Sequence, residues 1–161
     1  MHQERQAIVK CLDNQRDHVL GIVDGLSEVQ LRTSVLPSGW SCLGMVRHLT
    51  FSVERYWFRC IAGGESLEDV PGGAGADWLV EPSEPAEEVF RLYRDEIARA
   101  NGIIESTPLD RPPLRRDEWW GEWEVPDLRF IMLHVVAETA CHAGHLDVVR
   151  ELLDGRQWIV Q

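Results

Sequence analysis

The chain has 161 residues, 44% of them apolar, and a formal net charge of −11 at pH 7. This length suits one domain with a sizeable core and is short for two, so we expect a single domain over residues 1–161. The acidic balance argues against nucleic acid or an anionic membrane surface as a partner, and no apolar run reaches membrane-spanning length. The polar N-terminus lacks the apolar core of a signal peptide, so we expect a cytoplasmic protein.

Two helices are indicated in the first half of the chain. The first carries an apolar stripe from Ile8 to Leu26, and Ser27 then opens a turn with capping-box spacing to Gln30. The second begins after Ser41, its predicted N-cap, and ends at the glycine pair 63–64. Its core-facing stripe consists of Met45, His48 with Leu49, Ser52, Tyr56 and Cys60.

Two further helices follow, each preceded by a long loop. The third starts near Ser83 and stops at Pro108, and the fourth follows the N-cap Asp127 and ends at Gly155. The loops 63–83 and 108–126 are long for a compact domain, and such loops often carry function. Four helices of about 20–28 residues without a convincing strand predict an all-α four-helix bundle.

The apolar face of the fourth helix, from Ile131 to Leu152, is interrupted by polar side chains. Glu138, His142 and His145 occupy positions where a packing helix places leucine or isoleucine, and His134 lies on the same face. Burying an acid and three imidazoles is costly unless they are paired or bind a metal. This cost makes the face the first candidate for a functional site.

Glu138 and His142 are four residues apart, so both side chains can reach one ion. His48 on the second helix is the best third ligand, which would leave open positions of the kind that catalysis needs. Imidazole and carboxylate donors suit Zn²⁺, and also Ni²⁺, Co²⁺ or Fe²⁺. His134 and His145 stay open alternatives: either could replace Glu138, orient a ligand or touch substrate. A purely structural, hydrogen-bonded role is the competing interpretation for each histidine.

The four cysteines are scattered without a Cys-x-x-Cys pair. We therefore expect reduced thiols rather than a disulfide framework. Cys141 adjoins His142 but points about 100° away around the helix, and we expect it to be a buried, inert thiol rather than a nucleophile or ligand. The cysteines are Cys11, Cys42, Cys60 and Cys141.

The string 134–151, with Gly39-Trp40-Ser41 leading into residues 46–49, resembles the DinB-like (DinB/YfiT) metal-binding four-helix bundle superfamily over essentially the whole chain. It is most similar to the actinobacterial branch related to mycothiol-dependent S-transferases and maleylpyruvate isomerase. Many members carry two histidines four apart followed by Arg-Gly-Gln; here Glu138 and His142 stand at those positions and Ala-Gly-His145 replaces the triplet. The resemblance implies long crossover connections and the metal ligands His48, Glu138 and His142.

The function that this resemblance implies is a metal-dependent S-transferase that joins a low-molecular-weight thiol, such as mycothiol, to a small electrophile. His134 and His145 are the candidate catalytic residues, as proton carriers. Two alternatives stay open: a metal-dependent hydrolase that activates water at the same site, and a non-enzymatic metal-binding stress protein. The expected partners are the two small molecules, with a homodimer left open.

Two sets of surface candidates remain undecided on sequence alone. Tryptophans in the two long loops could roof a pocket, although large aromatics more often anchor loops on the core. Several arginines could bind anionic groups of a thiol cofactor, although surface arginines are common. The tryptophans are Trp78, Trp119, Trp120 and Trp123, and the arginines are Arg47, Arg55, Arg59, Arg115 and Arg116.

Overall fold

The computed structural model describes residues 2–158. Within that range it contains helices and loops and no strand, which confirms the predicted all-α bundle. The elements in chain order are α1 (His2–Val23), α2 (Glu28–Arg32), α3 (Cys42–His48), a π-helical segment that continues α3 directly (Leu49–Ala62), α4 (Ala86–Ser106) and α5 (Leu128–Asp154). Single 3₁₀ turns interrupt the two long loops at Ala76–Trp78 and Glu118–Trp120.

The predicted helix boundaries are confirmed where side chains cap the backbone. Ser27 and Gln30 form a capping box at the start of α2, and the Ser41 hydroxyl accepts the Gly44 N–H at 3.1 Å. Asp127 accepts the Phe130 N–H at 2.9 Å, and Gly155 ends α5 with a φ of 78°. Two boundaries differ from the prediction: α1 ends at Val23, before Leu26, and α4 begins at Ala86, after Ser83.

The second predicted helix is not uniformly α-helical, because it widens into the π segment after His48. The Gly63 N–H donates to the Phe58 carbonyl, five residues earlier, at 2.8 Å. A wider turn rotates successive side chains less than an α-helix does, so a stripe counted at 3.6 residues per turn drifts. Thr50 and Glu54, which lie outside the predicted stripe, are therefore buried in the segment.

The long helices pack side by side in the order α1, α5, π segment and α4. α1 packs along α5, α4 packs along the π segment, and α5 also contacts the π segment. Fully buried side chains from these elements, such as Leu12, Phe58, Ile131 and Leu146, form the core between them. The π segment is thus an inner wall of the bundle.

Two buried ion pairs attach the π segment to its neighbours. The Arg16 guanidinium on α1 donates two hydrogen bonds to the Glu54 carboxylate, both at 2.7 Å. On the other side, Glu96 of α4 accepts from Arg55 at 2.7 Å and from Arg59 at 2.9 Å. Glu54 and Glu96 are each 1% exposed, so each carboxylate depends on its arginine partners for compensation.

The cysteines are free thiols, as predicted, but their burial differs from the expectation. Cys42 and Cys60 are buried, whereas Cys11 and Cys141 are exposed. Cys141 was expected to be buried; it lies on the side of α5 that faces away from the rest of the bundle. Within residues 2–158, no helix is both long and apolar enough to cross a membrane.

Candidate functional site

A cavity of about 330 Å³ opens between the π segment, α5 and the two long loops. Its polar side is formed by His48, Ser52, His134 and Glu138. Its remaining walls are apolar or aromatic and come from the π segment and the two long loops: Val53, Tyr56, Trp57, Val70, Trp119 and Trp123. Three of the predicted site residues therefore line one cavity, although they are up to 90 residues apart in sequence.

His48, at the end of α3, is held by a residue that the sequence did not identify. Its Nδ1 lies 2.5 Å from Asp77 Oδ2, and the Ser52 hydroxyl donates to the same oxygen at 2.5 Å. Burial raises the pKa of Asp77, but the hydrogen bonds from Ser52 and His48 outweigh it, and the net pKa is lowered. Asp77 is therefore a carboxylate, His48 Nδ1–H donates to it, and Nε2 is the ring nitrogen that this carboxylate leaves free.

The 3₁₀ turn that carries Asp77 also covers the His48 ring. The Trp78 ring stacks on the His48 ring with centroids 4.2 Å apart and an interplanar angle of 14°. The first long loop thus fixes His48 both along its edge and across its face. The only sequence signal for this role was the unusual length of the loop.

On α5, Glu138 lies between two histidines. Its Oε2 is 3.4 Å from His142 Nε2, and its Oε1 is 3.9 Å from His134 Nε2. The His142 ring meets the His48 ring edge-on, with centroids 4.9 Å apart. His145 lies further out, with its ring 5.7 Å from that of His142 and 6.3 Å from that of Trp40.

The expectation that this polar face is buried was wrong for most of it. The Glu138 side chain is 39% exposed, His145 and Leu152 are exposed, and only His142, at 15%, is well covered. The reason is that Glu138 borders the open cavity, while His145 and Leu152 continue the same face outward into solvent instead of packing against a helix. The packing stripe of α5 lies beside it and consists of Ile131, Val135, Thr139, Ala143, Leu146 and Val149.

Burial favours the neutral form of two α5 histidines: His134, which lines the cavity, and His142, which does not line it but contacts the His48 ring. Burial lowers the pKa of His142 to about 4, the proximity of His48 adds to this shift, and Glu138 opposes it. Burial also lowers the pKa of His134, with Glu138 again opposing. A neutral imidazole offers a lone pair to a cation or a proton.

The residue types and ring spacing suit a divalent cation. Two imidazoles that share one tetrahedral ion have ring centroids about 5 Å apart, given metal–nitrogen bonds of about 2.0–2.1 Å. The 4.9 Å between His48 and His142 agrees with that spacing. His142 Nδ1 is buried without a hydrogen-bond partner in the described chain, and His48 has the carboxylate support that ligating histidines usually have.

The three side chains are nevertheless not arranged as a finished metal site. Within residues 2–158, no group of three or more His, Cys, Asp or Glu side chains is placed so that it could hold a metal ion. Glu138 would have to turn toward the two rings, and its exposure leaves room for that rotation.

The tryptophans divide between the two predicted roles, and the arginines have structural partners. Trp119 and Trp123 line the cavity, whereas Trp120 is buried and stacks on Trp57 with centroids 5.7 Å apart. Each of the five arginines bonds elsewhere in the chain, mostly to carboxylates or loop carbonyls. The partners are Glu84 for Arg47, Glu96 for Arg55 and Arg59, Glu65 for Arg115 and Gly121 for Arg116.

The all-helical bundle and its polar cavity agree with a DinB-like helical protein. Within that class, the model of the mycothiol-S-transferase family matches residues 7–155, which is most of the chain, so the chain belongs to this family. The resemblance seen in the sequence is thereby confirmed. Comparisons with curated proteins and with solved structures gave no match.

Proposed function

We propose that this chain is a metal-dependent transferase that joins the sulfur of mycothiol to a carbon atom of a small electrophile. Family membership supports the thiol. The observation that supports metal dependence is the position of three side chains. The His48 and His142 rings have centroids 4.9 Å apart, and the Glu138 carboxylate lies 3.4 Å from His142. These three side chains would hold the cation, with zinc as the first choice and nickel, cobalt or iron as alternatives. When bound, a cation of this kind holds a thiol sulfur as thiolate near neutral pH.

The chain's own side chains supply the remaining steps. Asp77 keeps His48 oriented with Nε2 free. His134, which is neutral and lies on the cavity wall, accepts the proton of the incoming thiol. The new carbon–sulfur bond then forms as the leaving group departs with its bonding electron pair. His145 does not line the cavity and lies about 16 Å along α5 from His134, so this proposal leaves the proton on His134 and gives His145 no step.

The proposal is tested by metal analysis of purified protein together with a thiol-consumption assay with mycothiol. His142→Ala should lose both the metal and the transfer activity, and Glu138→Gln should weaken metal binding by removing the negative charge that complements the cation. His2→Ala, at an exposed position at the start of α1, is the matched control and should retain both. In cobalt-substituted protein, added thiol should alter the absorption spectrum through sulfur coordination.

Full metal occupancy in His142→Ala would show that the proposed metal site is wrong. An unchanged metal affinity in Glu138→Gln would show that Glu138 is not a ligand, and His134 or His145 would then be the third ligand. If the protein cleaves esters in a metal-dependent reaction whose rate does not change when thiol is added, it is a hydrolase and the transferase proposal is wrong. Metal-dependent stability without any turnover would favour the binding protein.

A further inference from the structure

The wall of the cavity opposite the metal-candidate residues consists of aromatic rings. We infer that this wall is the subsite for the electrophile and that it takes an uncharged, flat aromatic ring in preference to an anionic substrate. The inference rests on the proposed transferase function. It names the chemical class of the second substrate, which family membership does not specify.

The rings form a corner that can hold a flat group. Trp57 and Trp123 are perpendicular, with centroids 5.7 Å apart and an interplanar angle of 88°. The His134 ring meets both of them, at 4.6 Å and 5.5 Å. Trp119 extends the wall on the loop side, 6.3 Å from Trp123. A flat ring placed here can stack on one face and meet another edge-on, the two favourable aromatic geometries.

The polar groups at the Tyr56 end of this wall are already paired. Trp119 Nε1 and Trp120 Nε1 both donate to the Tyr56 hydroxyl at 2.9 Å, and Tyr56 donates to Asp117 at 3.0 Å. Desolvation raises the pKa of Tyr56, so the hydroxyl stays a phenol. With these donors satisfied, the Tyr56 and Trp119 end of the wall presents ring faces, which favours stacking on a flat group over hydrogen bonding there.

The charges around the cavity disfavour an anion. No lysine or arginine is among the described residues that line it, whereas Glu138 does, and Asp117 lies behind Tyr56. A divalent cation bound to Glu138 and a thiolate would have no net charge left to attract a carboxylate. The volume of about 330 Å³ is enough for a small ring system.

A matched pair of electrophiles tests the inference. Methyl 4-chloro-3-nitrobenzoate and 4-chloro-3-nitrobenzoate differ at one ring substituent, an ester against a carboxylate, and both lose chloride to a thiolate. For each compound, kcat/KM with mycothiol is divided by the uncatalysed rate constant with the same thiol, which removes intrinsic reactivity. We expect this ratio to be about tenfold higher for the ester than for the acid. The acid carries a negative charge that would lie near the Glu138 carboxylate and be repelled by it. Equal ratios, or a preference for the acid, would overturn the subsite.

Two variants check that the preference arises at this wall. Val70→Arg places a cation on the loop that lines the cavity, and it should shift the ratio toward the acid. Trp119→Ala removes a ring that is 66% exposed, so the fold should persist. It should weaken binding of the unreactive methyl 3-nitrobenzoate by about three- to tenfold, measured by equilibrium dialysis without thiol. Trp158→Ala is the control, because Trp158 stacks on His18 and does not line the cavity. Its loss should leave the binding of methyl 3-nitrobenzoate unchanged.

The two measurements separate this inference from the proposed reaction. If the ester analogue binds and depends on Trp119 but no thiol is transferred, the subsite stands and the transferase fails. If thiol transfer is catalysed but Trp119→Ala binds the analogue as well as the wild type does, the transferase stands and the subsite is wrong.

Discussion

The site depends most directly on how single histidines are held. His48 is 29 residues from Asp77, yet a 2.5 Å hydrogen bond to that carboxylate sets which nitrogen of the ring is free. His142 has no such support: its Nδ1 is buried without a partner in residues 2–158. The two rings therefore differ: the His48 ring is already oriented by a carboxylate, whereas the His142 ring has a buried nitrogen that is unpaired among the described residues.

Asp77→Ala should weaken metal binding without unfolding the protein. Loss of a carboxylate behind a ligating histidine typically costs about 10- to 100-fold in metal affinity. The measurement is competition with a chromophoric chelator, with circular dichroism as a check on helix content. Asp69→Ala is the matched control on the same loop, because only the backbone carbonyl of Asp69 is used, by Arg55. If Asp77→Ala binds metal as tightly as the wild type, His48 does not need this support.

The first long loop packs against α3 at one close contact. In α3, a Cβ added at Gly44 would lie 2.7 Å from the Trp78 carbonyl oxygen. Only glycine lets the 3₁₀ turn Ala76–Trp78 approach the helix this closely. The same approach brings Asp77 to His48, so the packing of an element and the geometry of the site depend on one another.

Substitution of two helical glycines should have opposite effects on stability. Gly44→Ala should lower the free energy of unfolding by about 1–3 kcal/mol through overpacking, and it should weaken metal binding by displacing Asp77. Gly102→Ala on α4, where an added Cβ meets open space, should raise the free energy of unfolding by about 0.5–1 kcal/mol. Urea denaturation of both variants measures the difference. A Gly44→Ala protein as stable as the wild type would mean that the turn can shift without cost.

Across the whole molecule, the buried ion pairs decide how tightly the π segment is bound into the bundle. Burial raises the pKa of Glu96, but hydrogen bonds and charge from Arg55 and Arg59 outweigh this and lower the net pKa below its ordinary value of 4.5. Because the folded pKa is lower than the unfolded one, the carboxylate stabilises the fold above about pH 4.5. That contribution is lost as the pH falls through the lowered folded pKa.

Glu96→Gln should destabilise the protein at pH 7 by about 3 kcal/mol, because it leaves Arg55 without a carboxylate partner and Arg59 with the exposed Glu65 alone. The deficit relative to wild type should shrink as the pH falls below 4.5. Denaturant unfolding at several pH values measures this trend. Glu87→Gln, an exposed glutamate on the same helix, is the control and should behave as wild type. A deficit that does not change with pH would show that Glu96 acts through packing rather than charge.

The sequence by itself determined the local features of this protein. Caps at Ser41 and Asp127, the stop at Gly155 and the i, i+4 pair Glu138 and His142 all depend on residues within one or two helical turns. Such features follow from hydrogen-bond geometry that a few neighbouring residues control. The bundle was predictable from four helical patterns without a strand, and the approach of His48 to α5 from its place on a core-facing stripe; the family resemblance agreed with both.

Only the tertiary structure decided which side chains meet across the bundle. The pairing of Asp77 with His48, the aromatic wall around Trp57 and the opening that leaves Glu138 exposed depend on how loops cross over packed helices. The π segment after His48 also buries residues outside the predicted stripe, such as Thr50 and Glu54, in addition to the stripe residues Leu49, Tyr56 and Cys60. These contacts join residues tens of positions apart, and their geometry is set by packing and burial, which periodicity within one helix does not encode.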